Sequence, residues 1–304
     1  MWRAAHLSTL MILGSLVGTQ CLAQPRAKAP ADEYVGPVRS VSEWDVSSGK
    51  KLVLSSCETY DRNGKQTSYS VYKEEGGILY SDEYTYDASG RLVGTQTKHS
   101  EFVYLPDKQV HLYNHQRQLV EVKGFNASGT HLGGHVYVYD AQGNMIEERS
   151  YVTVPNPVYA SNDLTRHVYG ASGNEIAQAD YVYNGSTLQP DDHGMGYQKR
   201  VFLHDQNGRV VLTGYLKADN TLVRAESTKY DRRGNTVAMI ERAPDGHLIR
   251  RTTYSYRFDA RGNWIKQIRR EWAAENVGSL FGPLEVSVRK ITYYSQPYRR
   301  ATAN

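Results

Sequence analysis

The sequence predicts an all-β protein: a long antiparallel meander of hairpin repeats, curled into a spiral, a partial shell or two packed layers. Three observations lead there. One phrase recurs, most clearly as YTYDASGRL (Tyr84 to Leu92), YVYDAQGNM (Tyr137 to Met145) and YSYRFDARGNW (Tyr254 to Trp264). Its copies are regularly spaced along the chain. Outside the first residues, and an ambiguous stretch near the end, no segment carries the three-to-four-residue apolar period of a helix.

The phrase has a physical cause. Asp favours the first position of a type I turn because its carboxylate accepts hydrogen bonds from nearby backbone N–H groups. Gly favours the position where the chain takes positive φ and forms a bulge matched to the right-handed strand twist. The aromatic before Asp ends one strand, and the apolar alternation after Gly begins the next. The glycine positions fall at Gly64, Gly90, Arg117 (a degenerate copy, YNHQR), Gly143, Gly173, Gly208, Gly234 and Gly262, at steps of 26 to 35 residues. Weaker turn signals lie between most neighbours, at Gly76-Gly77, Pro106-Asp107, Asn126 to Gly129, Pro155 to Pro157, Asn184-Gly185, Asp219-Asn220 and Asp245-Gly246. A step of about 26 residues is two strands and two reversals, so all eight strong turns should share one edge of the sheet and the weaker turns the other. About sixteen strands are expected, more than a twisted open sheet tolerates flat.

The strings YTYDASGRLVG and YVYDAQGNMIEE resemble the YD repeats of the RHS family, over roughly residues 60 to 272. The resemblance implies long antiparallel strands that spiral into a shell, which in larger members encloses a toxic C-terminal domain. This chain has no Asp-Pro cleavage motif and nothing toxin-like after the repeats, so the cargo-carrying activity is not carried over. The expectation is a free-standing YD-repeat protein.

Taken in order, residues 1–23 read as a signal peptide. Arg3 gives a positive start, Leu7 to Val17 an apolar stretch, and Cys21-Leu22-Ala23 a small-residue cleavage site. The stretch is short for a membrane span, and Gln20 argues against lipidation at Cys21. Export to the periplasm or medium is therefore expected, with no transmembrane segment in the mature chain. Residues 24–33 form an Ala/Pro-rich leader. A single domain, 34–304, follows. Val38 to Val46 and Leu52 to Thr59 read as strands that precede the repeats. Val152 to Asp163 and Leu188 to Tyr197 read as loops by their Pro and Gly content. Ala273 to Pro283 is ambiguous and compatible with a short helical turn. Leu284 to Tyr294 alternates as the last strand, and Arg269, Arg270 and Glu271 are placed to blunt an open edge.

Composition narrows the function classes. The 24 tyrosines offset a low aliphatic content, since Tyr buries a ring while its hydroxyl stays wet. A net charge of +4 is spread along the chain without a Lys/Arg stripe, so nucleic acid is not an expected partner. After cleavage Cys57 is the remaining cysteine and forms no internal disulfide.

Catalytic signatures such as HExxH, GxSxG, a phosphate loop or CxxC are missing, and no cofactor or metal is expected. His111/His115 and His131/His135 have zinc-like helical spacing, but strand residues four apart lie roughly 13 Å apart. Adjacent carboxylates such as Glu74-Glu75 point to opposite faces of a strand. Asp191, Asp192 and His193 form the most ligand-like cluster, in an insertion. Tyr84/Tyr86, Tyr137/Tyr139, His167/Tyr169, Phe202/His204 and Tyr256/Phe258 occupy the same two positions of the repeat and, if register holds, stack as an aromatic ladder, with Tyr254 beside Tyr256 as a further candidate surface residue. Packing is the ladder's first expected role, and an exposed platform for sugars the second. The preferred function is therefore a non-catalytic exported protein that binds another protein or shields a surface, as an envelope component or a toxin-immunity protein would. A carbohydrate-binding module is the alternative, and an envelope hydrolase acting through Asp191, Asp192 and His193 comes third.

Overall fold

The computed structural model describes residues 34–46, 51–99, 106–153, 163–184, 187–192, 194–275, 278–282 and 284–295. The signal peptide, the leader and His193 lie outside them. The described residues hold strands and turns and no helix.

The first strands are β1 (Val38–Val46), β2 (Leu52–Tyr60), β3 (Gln66–Tyr72), β4 (Ile78–Tyr86) and β5 (Leu92–His99). They continue as β6 (Lys108–Tyr113), β7 (Leu119–Phe125), β8 (His131–Tyr139), β9 (Met145–Val152) and β10 (Asp163–Tyr169). Next come β11 (Glu175–Asn184), β12 (Thr187–Pro190), β13 (Lys199–His204), β14 (Val210–Leu216) and β15 (Leu222–Tyr230). The last are β16 (Thr236–Arg242), β17 (Leu248–Phe258), β18 (Trp264–Glu275), β19 (Gly278–Phe281) and β20 (Glu285–Tyr293).

Every pairing is antiparallel, and β1 pairs with both β2 and β20. β12 pairs only with β11 and β19 only with β18, as hairpin extensions. The remaining 18 strands form a closed barrel. This corrects the expected spiral, partial shell or two layers. Closure removes both edges outright, where a spiral would leave two to be protected. It also removes the blunting role assigned to Arg269, Arg270 and Glu271. Their strand is paired on both sides, to β17 and β20. Within 273–283 the described residues continue β18 to Glu275 and add β19 instead of a helical turn, and part of the Leu188 insertion is strand β12.

The YD turns form as their chemistry dictates. In the turn after β8, Asp140 Oδ1 accepts the N–H groups of Gln142 and Asn144 at 2.9 and 2.8 Å. Gly143 donates to the Asp140 carbonyl at 3.1 Å with φ of 86°. The same pattern recurs at Asp61, Asp205, Asp231 and Asp259. These donors favour the charged carboxylate. Asp205 is held down to about 2, first by the Arg209 side chain and then by the Arg209 and Asn207 backbone N–H groups.

The eight turns follow β2, β4, β6, β8, β10, β13, β15 and β17, which all run in one direction in the alternating sheet. They therefore share one rim, as the spacing predicts, while the weaker turns among the described residues and both hairpin extensions occupy the other; Pro155 to Pro157 and Gly185 lie outside the described residues. The start of β1 and the end of β20 meet at the YD rim. Tyr294 donates its N–H to the Pro37 carbonyl at 2.9 Å. Buried Tyr34, Val38, Val41 and Tyr60 pack there with Ile291 and Tyr293. Asn263, only 4% exposed, ties the eighth turn into this seam: its Oδ1 accepts the Val35 N–H at 2.6 Å, and its Nδ2 donates to the Val35 carbonyl at 2.8 Å and to Tyr293 Oη at 2.7 Å.

The register also fixes the two faces. Thr95, His111, Val122, Tyr137, Asp180 and Thr213 lie on one continuous face, and all are buried. Leu112, Val201, Leu203 and Leu212 lie on the other and are exposed. In a closed single-layer sheet side chains crowd on the concave side, so the first face is the inner wall. A circular ring of eighteen strands about 4.8 Å apart has a backbone radius of at least about 14 Å, in the size range where porin barrels hold water.

Two substitutions test the wall. Asn263→Ala should cost about 2–3 kcal/mol in denaturant unfolding, since it leaves buried seam groups unpaired. The equivalent Asn235→Ala, at an ordinary turn, should cost less. Arg117 holds φ of 67° where the other strong turns carry Gly. Arg117→Gly should stabilise by about 1 kcal/mol, because left-handed backbone is costly for a residue with a Cβ.

Candidate functional site

The tyrosine ladder lies on the inner wall, where it couples one repeat to the one before. Tyr86 Oη donates to the Gln66 carbonyl at 2.8 Å, Tyr139 to Leu119 at 2.7 Å, and Tyr256 to Thr236 at 2.8 Å. Tyr113 and Tyr230 do the same with Leu92 and Val210. A cation from the preceding turn covers several of these rings: Lys65 over Tyr86, Arg91 over Tyr113 and Arg209 over Tyr230, at 4.7 to 5.2 Å. Burial pushes the Tyr139 hydroxyl up to about 12. Tyr137 is 4% exposed and packs with Leu119, Val122 and Met145. Tyr84 and Tyr254 share the inner face half-buried, with the Tyr254 hydroxyl against Met239 Sδ at 3.6 Å.

Charged groups line the same wall. Glu241, 5% exposed, lies between Arg224 at 3.2 Å and Arg250 at 2.7 Å. Glu226 stands directly opposite it, and burial followed by the Glu241 charge raises its carboxyl above the ordinary range. His111 is 4% exposed, and burial lowers its imidazole to about 4.

Of the cluster read as ligand-like, Asp191 and Asp192 lie among the described residues. The Asp191 N–H donates to the Asp180 carbonyl at 3.1 Å. Asp192 Oδ1 accepts the Gly194 N–H at 2.9 Å, and its carbonyl accepts the Met195 N–H at 2.7 Å. The histidine pairs part company. His131 meets the Tyr151 hydroxyl at 3.3 Å, while His135 faces Glu148 at 3.2 Å. Among the described residues no group of three His, Cys, Asp or Glu side chains could hold a metal ion.

The surface that sequence reasoning missed is on the outer wall. Val168 on β10 is 52% exposed, Val201 and Leu203 on β13 are 42% and 59%, and Leu212 on β14 is 40%. Their register makes them neighbours: Val168 opposes Ala177, Ala177 opposes Val201, and Leu203 opposes Leu212. A concavity of ≈ 630 Å³ lies at the YD rim, lined by Asp140, Asn144, Ile146, His167, Val168, Tyr169 and the fifth turn; Val168 also belongs to the patch, whereas His167 faces the inner wall by register. The concavity has a cause in the sequence. The fifth turn reads YGASG, so Gly170 stands where the third turn carries Asn114 and the others carry Asp, and the fourth turn offers Asn144 where Arg91 or Arg209 would cover the next ring. Within it His167 Nδ1 meets Glu175 at 2.7 Å, and its buried Nε2 has no hydrogen-bond partner. A signal existed in the alternation of LTRHVYG and KRVFLH, whose out-facing positions include Val168, Val201 and Leu203.

No family model and no curated protein matches the chain. Solved structures similar to it include TcdB2-TccC3, at 13% identity and a TM-score of 0.39, over 78% of this chain. The chain spans 13% of that protein's length. The Photorhabdus luminescens Tc holotoxin pore is similar at 12% identity and a TM-score of 0.35, over 73% of this chain and 14% of that one. A porin-like protein from Bacteroides uniformis is similar at 9% identity and a TM-score of 0.44, over 86% of this chain and 100% of that one.

Among the described residues no helix is long and apolar enough to cross a membrane. By register, Lys98, Arg149 and Arg166 stand on the outer wall and Glu241, Arg250 and Asp180 on the inner one.

His111 makes the fold sensitive to acid. Its folded-state value lies below the ordinary 6.5, so the unfolded chain binds more protons between these limits. The stability it contributes is complete above about pH 6.5 and is lost as pH falls toward about 4, by about 3 kcal/mol. Unfolding midpoints measured from pH 7 to pH 4 should show this slope, and His111→Leu should flatten it.

Proposed function

We propose that the chain is a free-standing YD-repeat barrel, exported from the cell, that acts without catalysis by binding another protein. The apolar patch of Val168, Val201, Leu203 and Leu212 carries this reading. Exposed contiguous apolar surface rimmed by polar groups marks interaction sites in soluble proteins. The inner tyrosines, held by carbonyls and cations of neighbouring repeats, support a packing role rather than a sugar platform. The Asp191 and Asp192 contacts give a structural role to a cluster otherwise open to a hydrolytic reading. Export rests on the pattern of Arg3, Leu7 to Val17 and Ala23.

Leu203→Lys with Val168→Lys should leave the unfolding midpoint within about 0.5 kcal/mol of the parent, because both sites are exposed. The same pair should abolish co-purification of a defined partner from native extract, with Leu112→Lys, elsewhere on the outer wall, as the control that keeps it. A partner retained by the double variant, or a parent chain that only dimerises through the patch in light scattering, would overturn the assignment.

A further inference from the structure

The barrel separates charges that are mixed along the sequence. On one side of the outer wall, cations are matched by carboxylates. Lys98 meets Glu83 at 3.1 Å, Lys123 meets Glu121 at 3.5 Å, and Arg166 meets Glu147 at 3.1 Å. From β15 to β20 the matching stops. Lys229, Arg251, Arg257, Lys266, Arg270 and Lys290 occupy the outer face there, all exposed except the half-buried Lys266. The carboxylates of the same strands, Glu226, Glu241, Glu271 and Glu285, all fall on the inner face by register.

The cations are also placed against one another. Arg257 and Lys266 are direct cross-strand partners on the same face. Arg251 lies diagonal to Arg270, since Arg251 opposes Trp272. Lys290 lies diagonal to Lys266, since Lys266 opposes Val288. Like charges directly opposite destabilise a sheet, so this arrangement costs the free protein something that a bound anion would recover.

We infer that the outer face of β15 to β20 is a binding surface for an acidic glycan chain. The neighbouring out-facing side chains include the hydroxyl-bearing Thr253, Ser255 and Thr292 and the aliphatic Ile240, Ile268 and Val288, with one aromatic, Trp272. Single-stranded nucleic acid draws much of its affinity from stacking on successive aromatic rings, and in these strands the tyrosines face inward. A convex wall offers neither a groove for a duplex nor a flat face for a bilayer. A flexible polymer of carboxylates and hydroxyls lies across such a surface, its carboxylates on the paired cations and its hydroxyls among the Ser and Thr side chains.

Polygalacturonate is the probe, with a poly-dT oligonucleotide and phosphatidylglycerol vesicles in parallel. The full chain should bind polygalacturonate, with the dissociation constant rising at least about tenfold between 50 and 200 mM NaCl. Arg257→Glu with Arg270→Glu should weaken that binding by at least about tenfold. Arg257→Glu alone should raise the melting temperature by about 1–3 °C, because it turns the repulsion with Lys266 into an ion pair. That shift separates a repulsive site from a merely solvated one. Unchanged polygalacturonate binding in the double variant, tighter binding of poly-dT or of vesicles, or a lower melting temperature for Arg257→Glu would each overturn the inference.

Discussion

The barrel depends on one contact made repeatedly: the hydroxyl of the tyrosine before the turn reaching the carbonyl that opens the second strand of the previous repeat. Tyr86 to Gln66, Tyr113 to Leu92, Tyr139 to Leu119, Tyr230 to Val210 and Tyr256 to Thr236 are the same bond. Adjacent strands are already joined by their ladders, but a ladder does not set how sharply one hairpin bends toward the next. A rigid ring held by its own backbone on one side, and by the neighbour's carbonyl at its far end, does. Where a Lys or Arg also covers the ring, the angle between repeats is fixed from three directions. The inward pull of the aromatic row at one rim accompanies the curvature that brings the first and last strands together.

This ladder leaves little aliphatic core for a chain of this size. The buried clusters are small, one at the seam and one around Leu119, Val122, Tyr137 and Met145. Several polar groups buried on the inner wall are matched: Glu241 by two arginines, Thr97 by Asp82 at 2.7 Å, and Thr165 by Asp180 at 2.9 Å. Wall stability is therefore distributed around the ring. The seam differs, because β1 and β20 are joined by no tight turn, and there Asn263, the Arg289–Glu43 ion pair at 2.8 Å and the Tyr34 cluster take over.

Much of the wall was legible because its signals are local. Asp and Gly at fixed offsets specify a turn whose carboxylate and positive φ are both realised, and a step of two strands puts like turns at like ends. Closure was not legible. Val38 to Val46 and Glu285 to Tyr293 lack the repeat phrase and lie at opposite ends of the sequence, so nothing local announces their pairing. The insertion at Leu188 misled for a related reason. Pro190 reads as a strand breaker, yet it sits at the end of a four-residue strand, opposite Tyr181. The candidate surfaces were hidden by averaging. In IKQIRREW the charges look mixed until alternate residues are sent to opposite faces, which places Arg269 and Glu271 together inside and Lys266 and Arg270 outside.

The even strand count has a consequence for how such a wall changes size. Each repeat contributes one outgoing and one returning strand, so gaining or losing a whole repeat widens or narrows the circumference by two strand spacings, roughly 9.6 Å. Every other residue keeps its side of the wall. An odd change would leave the two closing strands parallel and break the seam that binds them. Bore is thus a quantised quantity, written in the copy number of a phrase some 26 residues long, and independent of the chemistry carried on either surface.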